Sequence, residues 1–250
     1  MSALDQGFVT ALNGAGIRRP TQGPALQEGM ITIHNSEFTI QNFPRFYAII
    51  DAAQLEQRSP FAIFDTLVSA GVEMIQYRDK EGLPRQLFDT SRQLAERARK
   101  CHATFIVNDR ADVALVAGAD GVHLGQDDLP VDLACQLLRP GTIVGSSTHS
   151  ITQVEEADRS SANYIAFGPV FPTQSKERPG PTVGLEGVRA ARKAAHKPLV
   201  GIGGITVENA RAVIEAGADA VAVISDLLEH PDAATRAQEF LRILGRCRFS

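Results

Sequence analysis

Met74-Ile75-Gln76-Tyr77-Arg78-Asp79-Lys80, followed by Pro84–Cys101, is the unit on which the rest of the chain is patterned. The apolar lead-in Val72-Glu73-Met74-Ile75 reads as a buried strand that runs out into solvent. In the stretch after it, Leu87, Leu94 and Ala98 recur at helical spacing. Alternation along an extended chain sends Gln76, Arg78 and Lys80 to one side, with Tyr77 and Asp79 opposite. One neutral amide and two cations converging at a strand end suit a polar heterocycle carrying several negative charges. A strand end that merely meets water is the plain alternative.

The same alternation continues from Phe46 onward. Short β-branched or aromatic runs fall at Phe46–Asp51, Met74–Arg78, Thr104–Asp109, Gly121–Gly125, Ile143–Ser147, Tyr164–Val170, Pro198–Gly204 and Ala220–Ser225. Amphipathic stretches lie between them. Val207–Ala218 places Val207, Ala210 and Ile214 on one face behind Thr206 as N-cap, and Asp232–Gly245 does so with Phe240, Leu241 and Leu244. Eight near-continuous apolar strands alternating with helices predict an α/β fold, a closed parallel (β/α)8 TIM barrel. An open doubly wound sheet usually has fewer strands. Ala117-Gly118-Ala119-Asp120 and Ala216-Gly217-Ala218-Asp219 each mark a helix ending on glycine before the next strand.

Residues 1–45 show no surviving period. Gly14, Gly16, Pro20, Gly23 and Pro24 interrupt them, so they are expected to form a flexible N-terminal extension to a single catalytic domain at 46–250. Met30 offers a later start, and Ile31–Ile40 a short strand.

Composition narrows the class. The chain has 250 residues, 44% of them apolar and 22% charged, as in ordinary globular proteins. A formal charge of −4 provides no field for nucleic acid or an acidic membrane. No run is long enough to span a bilayer, and the first thirty residues lack a signal-peptide core. Cys101, Cys135 and Cys247 are odd in number and far apart, against a disulfide framework or a zinc site. Cys101 and Cys135 are expected as small hydrophobes on helices, and a cytoplasmic location follows by default.

In a parallel barrel, catalytic groups collect at the C-terminal ends of the strands. Polar residues fall there repeatedly: Gln76, Arg78 and Lys80; Asn108-Asp109-Arg110; His123 and Gln126-Asp127-Asp128; Ser146-Ser147-Thr148-His149; and Gly168 through Lys176. Asp109 and Asp128 are the carboxylates to place on a metal. Oxygen ligands from neighbouring strand ends suit Mg²⁺, which keeps waters and shares its other positions with substrate phosphates. Each could equally cap a helix or turn, Asp128 before Leu129-Pro130 in particular. Gly201-Ile202-Gly203-Gly204-Ile205 and Ile224-Ser225 end the last two strands, where barrels often bind phosphate. His123 and His149 are left out of the catalytic set, since a hydrogen-bonded core role serves His123 at least as well. No Ser/His/Asp or Cys/His ordering suggests a nucleophile.

Gln76-x-Arg78-x-Lys80, Val107-Asn108-Asp109-Arg110, Gly121 through Asp128, Gly168 through Thr173 with Lys176, and Gly201 through Ile205 together resemble thiamine-phosphate synthase (thiamine-phosphate pyrophosphorylase), over residues 46 to 246. The resemblance implies a transferase of thiamine biosynthesis. Such an enzyme joins 4-amino-5-hydroxymethyl-2-methylpyrimidine diphosphate to 4-methyl-5-(2-phosphooxyethyl)thiazole, giving thiamine phosphate and pyrophosphate. It further implies that Gln76, Arg78, Lys80, Asn108, Ser147 and Lys176 hold the pyrimidine diphosphate, with Arg78, Lys80, Ser147 and Lys176 as the catalytic groups. Asp109 and Asp128 would hold Mg²⁺. Thr173, Gln174, Ser175, Gly203, Gly204, Ile224 and Ser225 would contact the thiazole phosphate.

In the family the pyrimidine leaves as a carbocation and the thiazole nitrogen attacks with its own lone pair, so no catalytic base is required. Two features depart from the family pattern: Ser175 where threonine is frequent, and the extension before Phe46. The Lys176–Thr182 segment is expected as a loop that closes over the substrates. Arg78→Ala or Asp109→Ala is expected to cut turnover by orders of magnitude with the fold intact. The alternatives are a thiazole tautomerase, which would need an acid–base residue, and a non-catalytic thiamine-phosphate-binding protein. Partners are small-molecule substrates, and a homo-oligomer is compatible with the sequence.

Overall fold

The structure, a computed structural model, describes residues 43–173 and 180–245. Met30, Ile31–Ile40, Gln174, Ser175, Lys176 and Cys247, together with most of the Lys176–Thr182 segment, lie outside the described residues.

Eight parallel strands close into one barrel in sequence order. They are β1 (Phe46–Asp51), β2 (Met74–Arg78), β3 (Thr104–Asn108), β4 (Gly121–Leu124), β5 (Ile143–Thr148), β6 (Tyr164–Phe167), β7 (Leu199–Ile202) and β8 (Ala220–Val223). Closure comes from β8 pairing back on β1, with Phe46 opposite Val221 and Ala48 opposite Val223. Between strands run α1 (Pro60–Ser69), α2 (Pro84–Cys101), α3 (Ala111–Ala117), α4 (Val131–Leu137), α5 (Ile151–Arg159), α6 (Gly184–Ala194), α7 (Val207–Glu215), α8 (Ser225–Leu228) and α9 (Ala233–Leu244). None of the described helices is long and apolar enough to cross a membrane.

Strand alternation divides the core in two. One set of side chains points outward to the helices and forms the larger cluster, including Phe46, Phe64, Leu94, Phe105, Ile165 and Phe240. The other set points inward and fills the barrel with Tyr47, Ile49, Met74, Ile106 and Tyr164, with Phe43 joining them from before β1. Leu87, Leu94 and Ala98 are buried on α2 as their spacing requires. Thr206 caps α7 in a reciprocal capping box with Asn209. Gly118 adopts the left-handed conformation that ends α3, and Gly217 (φ 115°) follows α7.

Several boundaries differ from expectation. β6 stops at Phe167, because Gly168-Pro169 turns the chain away. Val170 and Phe171 instead donate N–H groups to Ile202 and Gly203 at 2.9 and 3.0 Å. Asp109 leaves β3 through a left-handed backbone (φ 63°). Ser225 opens α8 rather than closing β8. Asp128 caps no helix: Pro130 holds that position for α4, while Asp128 Oδ2 accepts the Gly125 N–H at 2.6 Å. Cys101 lies exposed at the end of α2 with its thiol toward the Arg97 carbonyl, and Cys135 packs at the edge of the outer core.

Candidate active site

The inward parity of the strands carries on past their C-terminal ends and lines one pocket there. Gln76, Arg78 and Lys80 all reach it from β2 and its exit, as alternation requires. Asn108 and Asp109 join from β3, His123 and Gly125 from β4, and Ser147 from β5. The floor is closed by Tyr47 and Ile49 of β1 and by Ala166, Ile202, Ala222 and Ile224 from the last three strands.

Charge is arranged around the rim in two linked pairs. Arg78 ion-pairs with Asp51 at 2.5 Å, and both side chains are largely buried. Asp51 also accepts the Ala53 N–H and starts the short turn after β1. Lys80 Nζ meets Asp109 Oδ2 at 2.7 Å with about half of the lysine side chain exposed (52%). Asp128 stands beside Asp109. Its carboxyl is pushed up to about 6, first by burial and next by the Asp109 carboxyl, against the pull of the Gly125 N–H and Lys80.

Two carboxylates this close disfavour each other's ionisation, and a cation between them would relieve that repulsion. This donor set fits Mg²⁺, which takes one or two protein carboxylates and completes its shell with water and phosphate oxygens. Among the described residues no group of three or more His, Cys, Asp or Glu side chains is assembled for a metal. An all-protein cage of the zinc kind is therefore not what these residues build.

Beneath the charged rim runs a chain of buried hydrogen bonds that crosses the barrel. Gln76 Nε2 donates to Tyr47 Oη at 2.6 Å, and Tyr47 and Tyr164 share a hydrogen bond at 2.9 Å. Tyr164 Oη is 3.0 Å from His123 Nδ1, and His123 Nε2 is 2.8 Å from Ser147 Oγ. Burial holds both phenols well above their usual range, so both keep their protons. Gln126 steadies the far end by donating to the Ser147 carbonyl at 2.5 Å. Gly145 makes room for the middle of the chain. A Cβ there would fall 2.1 Å from Tyr164 Cζ and 2.5 Å from His123 Nδ1.

The opposite side of the mouth is built from backbone. Gly203 and Gly204 have φ of 95° and 63°, and a Cβ on either would collide with Pro169 or with Phe171 and Pro172. Asp226 accepts the Val207 N–H at 3.1 Å, tying the start of α7 to α8. Asp226 is held in turn by two hydrogen bonds from Arg236, at 2.7 and 3.0 Å.

The structure thus brings Gln76, Arg78, Lys80, Asn108, Asp109, Ser147 and Ile224 to one pocket, with Asp128 at its edge. Thr173 lies on the loop after β6, Gly203 and Gly204 on the turn after β7, and Ser225 at the start of α8. Tyr47, Tyr164, Asp51 and the small floor residues Ala166 and Ala222 were missed from sequence. His123, set aside as a core histidine, is both buried and part of the pocket lining. Parity was the available signal for Tyr47 and Asp51, since they alternate with Ala48 and Ile50.

A family model described as thiamine monophosphate synthase matches residues 46–227. The thiamine-phosphate synthase of Koribacter versatilis is 48% identical over 205 residues, covering 80% of this chain and 96% of that protein. That of Moorella thermoacetica is 44% identical over 181 residues, covering 72% and 86%. Among solved structures, a thiamine phosphate pyrophosphorylase from Pyrococcus furiosus superposes with a TM-score of 0.74 at 33% identity, covering 82% of this chain and 98% of that one.

Proposed function

The chain belongs to the thiamine monophosphate synthase family, and from that premise we propose the reaction and the part each residue plays in it. It is a transferase that forms thiamine phosphate by joining the aminopyrimidine diphosphate to the thiazole phosphate, releasing pyrophosphate. We place it in the cytoplasm with small-molecule substrates. The relatives carry the synthase name, and neither the tautomerase nor the non-catalytic reading draws support from them.

The observation that carries the reading is the charge pattern of the rim. Arg78 and Lys80 converge from one strand end on a pocket edged by the Asp109–Asp128 pair. A diphosphate needs cations and a divalent metal at once, and few other small ligands ask for both.

Asp109 and Asp128 would hold Mg²⁺, which when bound neutralises charge gathering on the diphosphate. Arg78, fixed by Asp51, presents a guanidinium whose orientation is set before substrate arrives. Lys80 exchanges Asp109 for a phosphate oxygen as the diphosphate enters. Asn108 and Ser147 orient the diphosphate end, and Gln76 reads the ring. The carbon–oxygen bond to the diphosphate breaks with its electron pair leaving on pyrophosphate. The thiazole nitrogen then supplies the pair for the new carbon–nitrogen bond. No proton is removed from that nucleophile, so the side chains orient, neutralise and exclude water rather than act as a base. Gly203, Gly204, Thr173, Ile224 and Ser225 receive the thiazole phosphate, with backbone N–H groups at the β7 turn. Lys176, Gln174 and Ser175, which follow Thr173 in the sequence, complete the proposed set. Mixing both substrates with Mg²⁺ should give thiamine phosphate and pyrophosphate in equal amounts. Folded protein that yields neither would refute the assignment.

A further inference from the structure

The hydrogen-bond chain from Gln76 to Ser147 has a direction, and that direction has a consequence at both ends. Each phenol carries one proton and a neutral imidazole one, so for every proton of the chain to be used within it the bonds must all point the same way. Gln76 gives its NH₂ to Tyr47. The Tyr47 proton then goes to Tyr164, and the Tyr164 proton to His123 Nδ1. The ring proton therefore rests on Nε2 and is donated to Ser147 Oγ. What remains at the ends is opposite in kind. Gln76 is left with its amide oxygen, an acceptor, beside its second N–H, and Ser147 with its hydroxyl proton, a donor. Both residues line the pocket.

We propose that Tyr47, Tyr164 and His123 are positioning residues that lock this direction, so that the site accepts a ligand whose ring carries an amine donor at the Gln76 end and whose other end offers an acceptor to Ser147. None of the three needs to touch reacting atoms. The ligand assignment rests on the function proposed above, where Ser147 faces an acceptor-rich diphosphate and Gln76 an aminopyrimidine. The sense of the chain does not. The reverse sense would present an NH₂ at Gln76 and a lone pair at Ser147, the pattern for a 4-oxo pyrimidine. Breaking the chain at Tyr164 frees the Tyr47 proton to turn toward Gln76, and the amide can then flip.

Two measurements separate the levels. In ligand-free wild-type protein, long-range ¹H–¹⁵N correlation of the His123 ring, assigned against His123→Gln, should show a bare Nδ1 and a protonated Nε2. A proton on Nδ1 overturns the proposal without bearing on the reaction. Calorimetric binding of the 4-amino and 4-oxo pyrimidine diphosphates, with Mg²⁺ and without thiazole phosphate, should show the wild type preferring the 4-amino compound. Tyr164→Phe should compress that preference by about tenfold, the worth of one hydrogen bond to a buried polar group. A folded Tyr164→Phe that keeps the full preference overturns the positioning role. Should that variant not fold, Tyr47→Phe tests the same link. If wild-type protein binds neither diphosphate, the function itself is wrong and the ligand assignment falls with it.

Discussion

Lys80 Nζ lies 2.7 Å from Asp109 Oδ2, so a protein cation already occupies one face of the carboxylate pair that would bind metal. On the proposed function, the lysine would compete for Asp109 while the pocket is empty and be released when a diphosphate brings its own negative charge. Ion pairs of half-exposed lysines contribute little to stability, which makes this contact easy to exchange.

Removing that competitor should have opposite effects on binding and on turnover. Lys80→Met should tighten Mg²⁺ binding to substrate-free protein several-fold while lowering kcat by roughly two orders of magnitude. Titration calorimetry and steady-state assays read the two. Weaker metal binding together with lower turnover would show that Lys80 does not oppose the metal at Asp109.

Metal affinity should follow the ionisation of Asp128. Its carboxyl is pushed up to about 6, so below that pH a proton holds the place of the cation. An unfolded aspartate titrates near 4. Between about 4 and 6 the folded chain therefore binds more protons than the unfolded one, and this group's contribution to stability falls as pH rises across that window. Mg²⁺ affinity rises over the same window, by up to about tenfold per unit. Turnover at limiting Mg²⁺, measured at pH 5 and 7.5, should show it, and excess Mg²⁺ should restore much of the loss. Asp109→Asn should move the midpoint down by removing the neighbouring charge.

Arg78→Ala should affect more than catalysis, because it strands Asp51, whose side chain is only 2% exposed. Leaving a buried carboxylate without its partner costs about 3–5 kcal/mol. The expectation of an intact fold for this variant is accordingly revised to a destabilised one. Arg78→Ala combined with Asp51→Asn should recover most of the lost stability and none of the turnover. Chemical denaturation of the two singles and the double measures the coupling. Additive losses would mean that the ion pair does not connect the two.

Gly203→Ala should lower stability by about 1–3 kcal/mol, since the residue has φ of 95° and its Cβ would lie 2.6 Å from Pro169. The KM for the thiazole phosphate should rise, with that for the pyrimidine diphosphate unchanged. A rise in both would place Gly203 outside the thiazole phosphate site.

Much of the scaffold was legible because each strand is a local signal. β1 and β2 have the predicted bounds, since their apolar runs end sharply at Asp51 and Arg78. β6 was overread because Val170 is as apolar and as buried as a strand residue although it lies beyond the end of the strand at Phe167, and a window of residues cannot tell those cases apart. The inward set Gln76, Arg78 and Lys80 was legible from parity alone. Tyr47 and Tyr164 were not, because their pairing spans 117 positions and depends on which strands close the ring. Asp51 lay at the end of a strand that had been marked, but its partner is 27 positions away. The charge shared by Asp109 and Asp128 depends on the turn that folds Asp128 back onto Gly125, which no spacing rule describes.

Gly145 adds a last lesson, about moving such a site elsewhere. Its hydrogen atom stands where any other residue would drive a carbon into Tyr164 and His123. A list of side chains to be grafted onto another barrel would omit position 145, because it contributes no chemistry. An alanine left there would separate the two rings and leave both ends of the chain free to turn. What must be transplanted includes an empty space, and a scaffold search that scores only the groups present would pass over it.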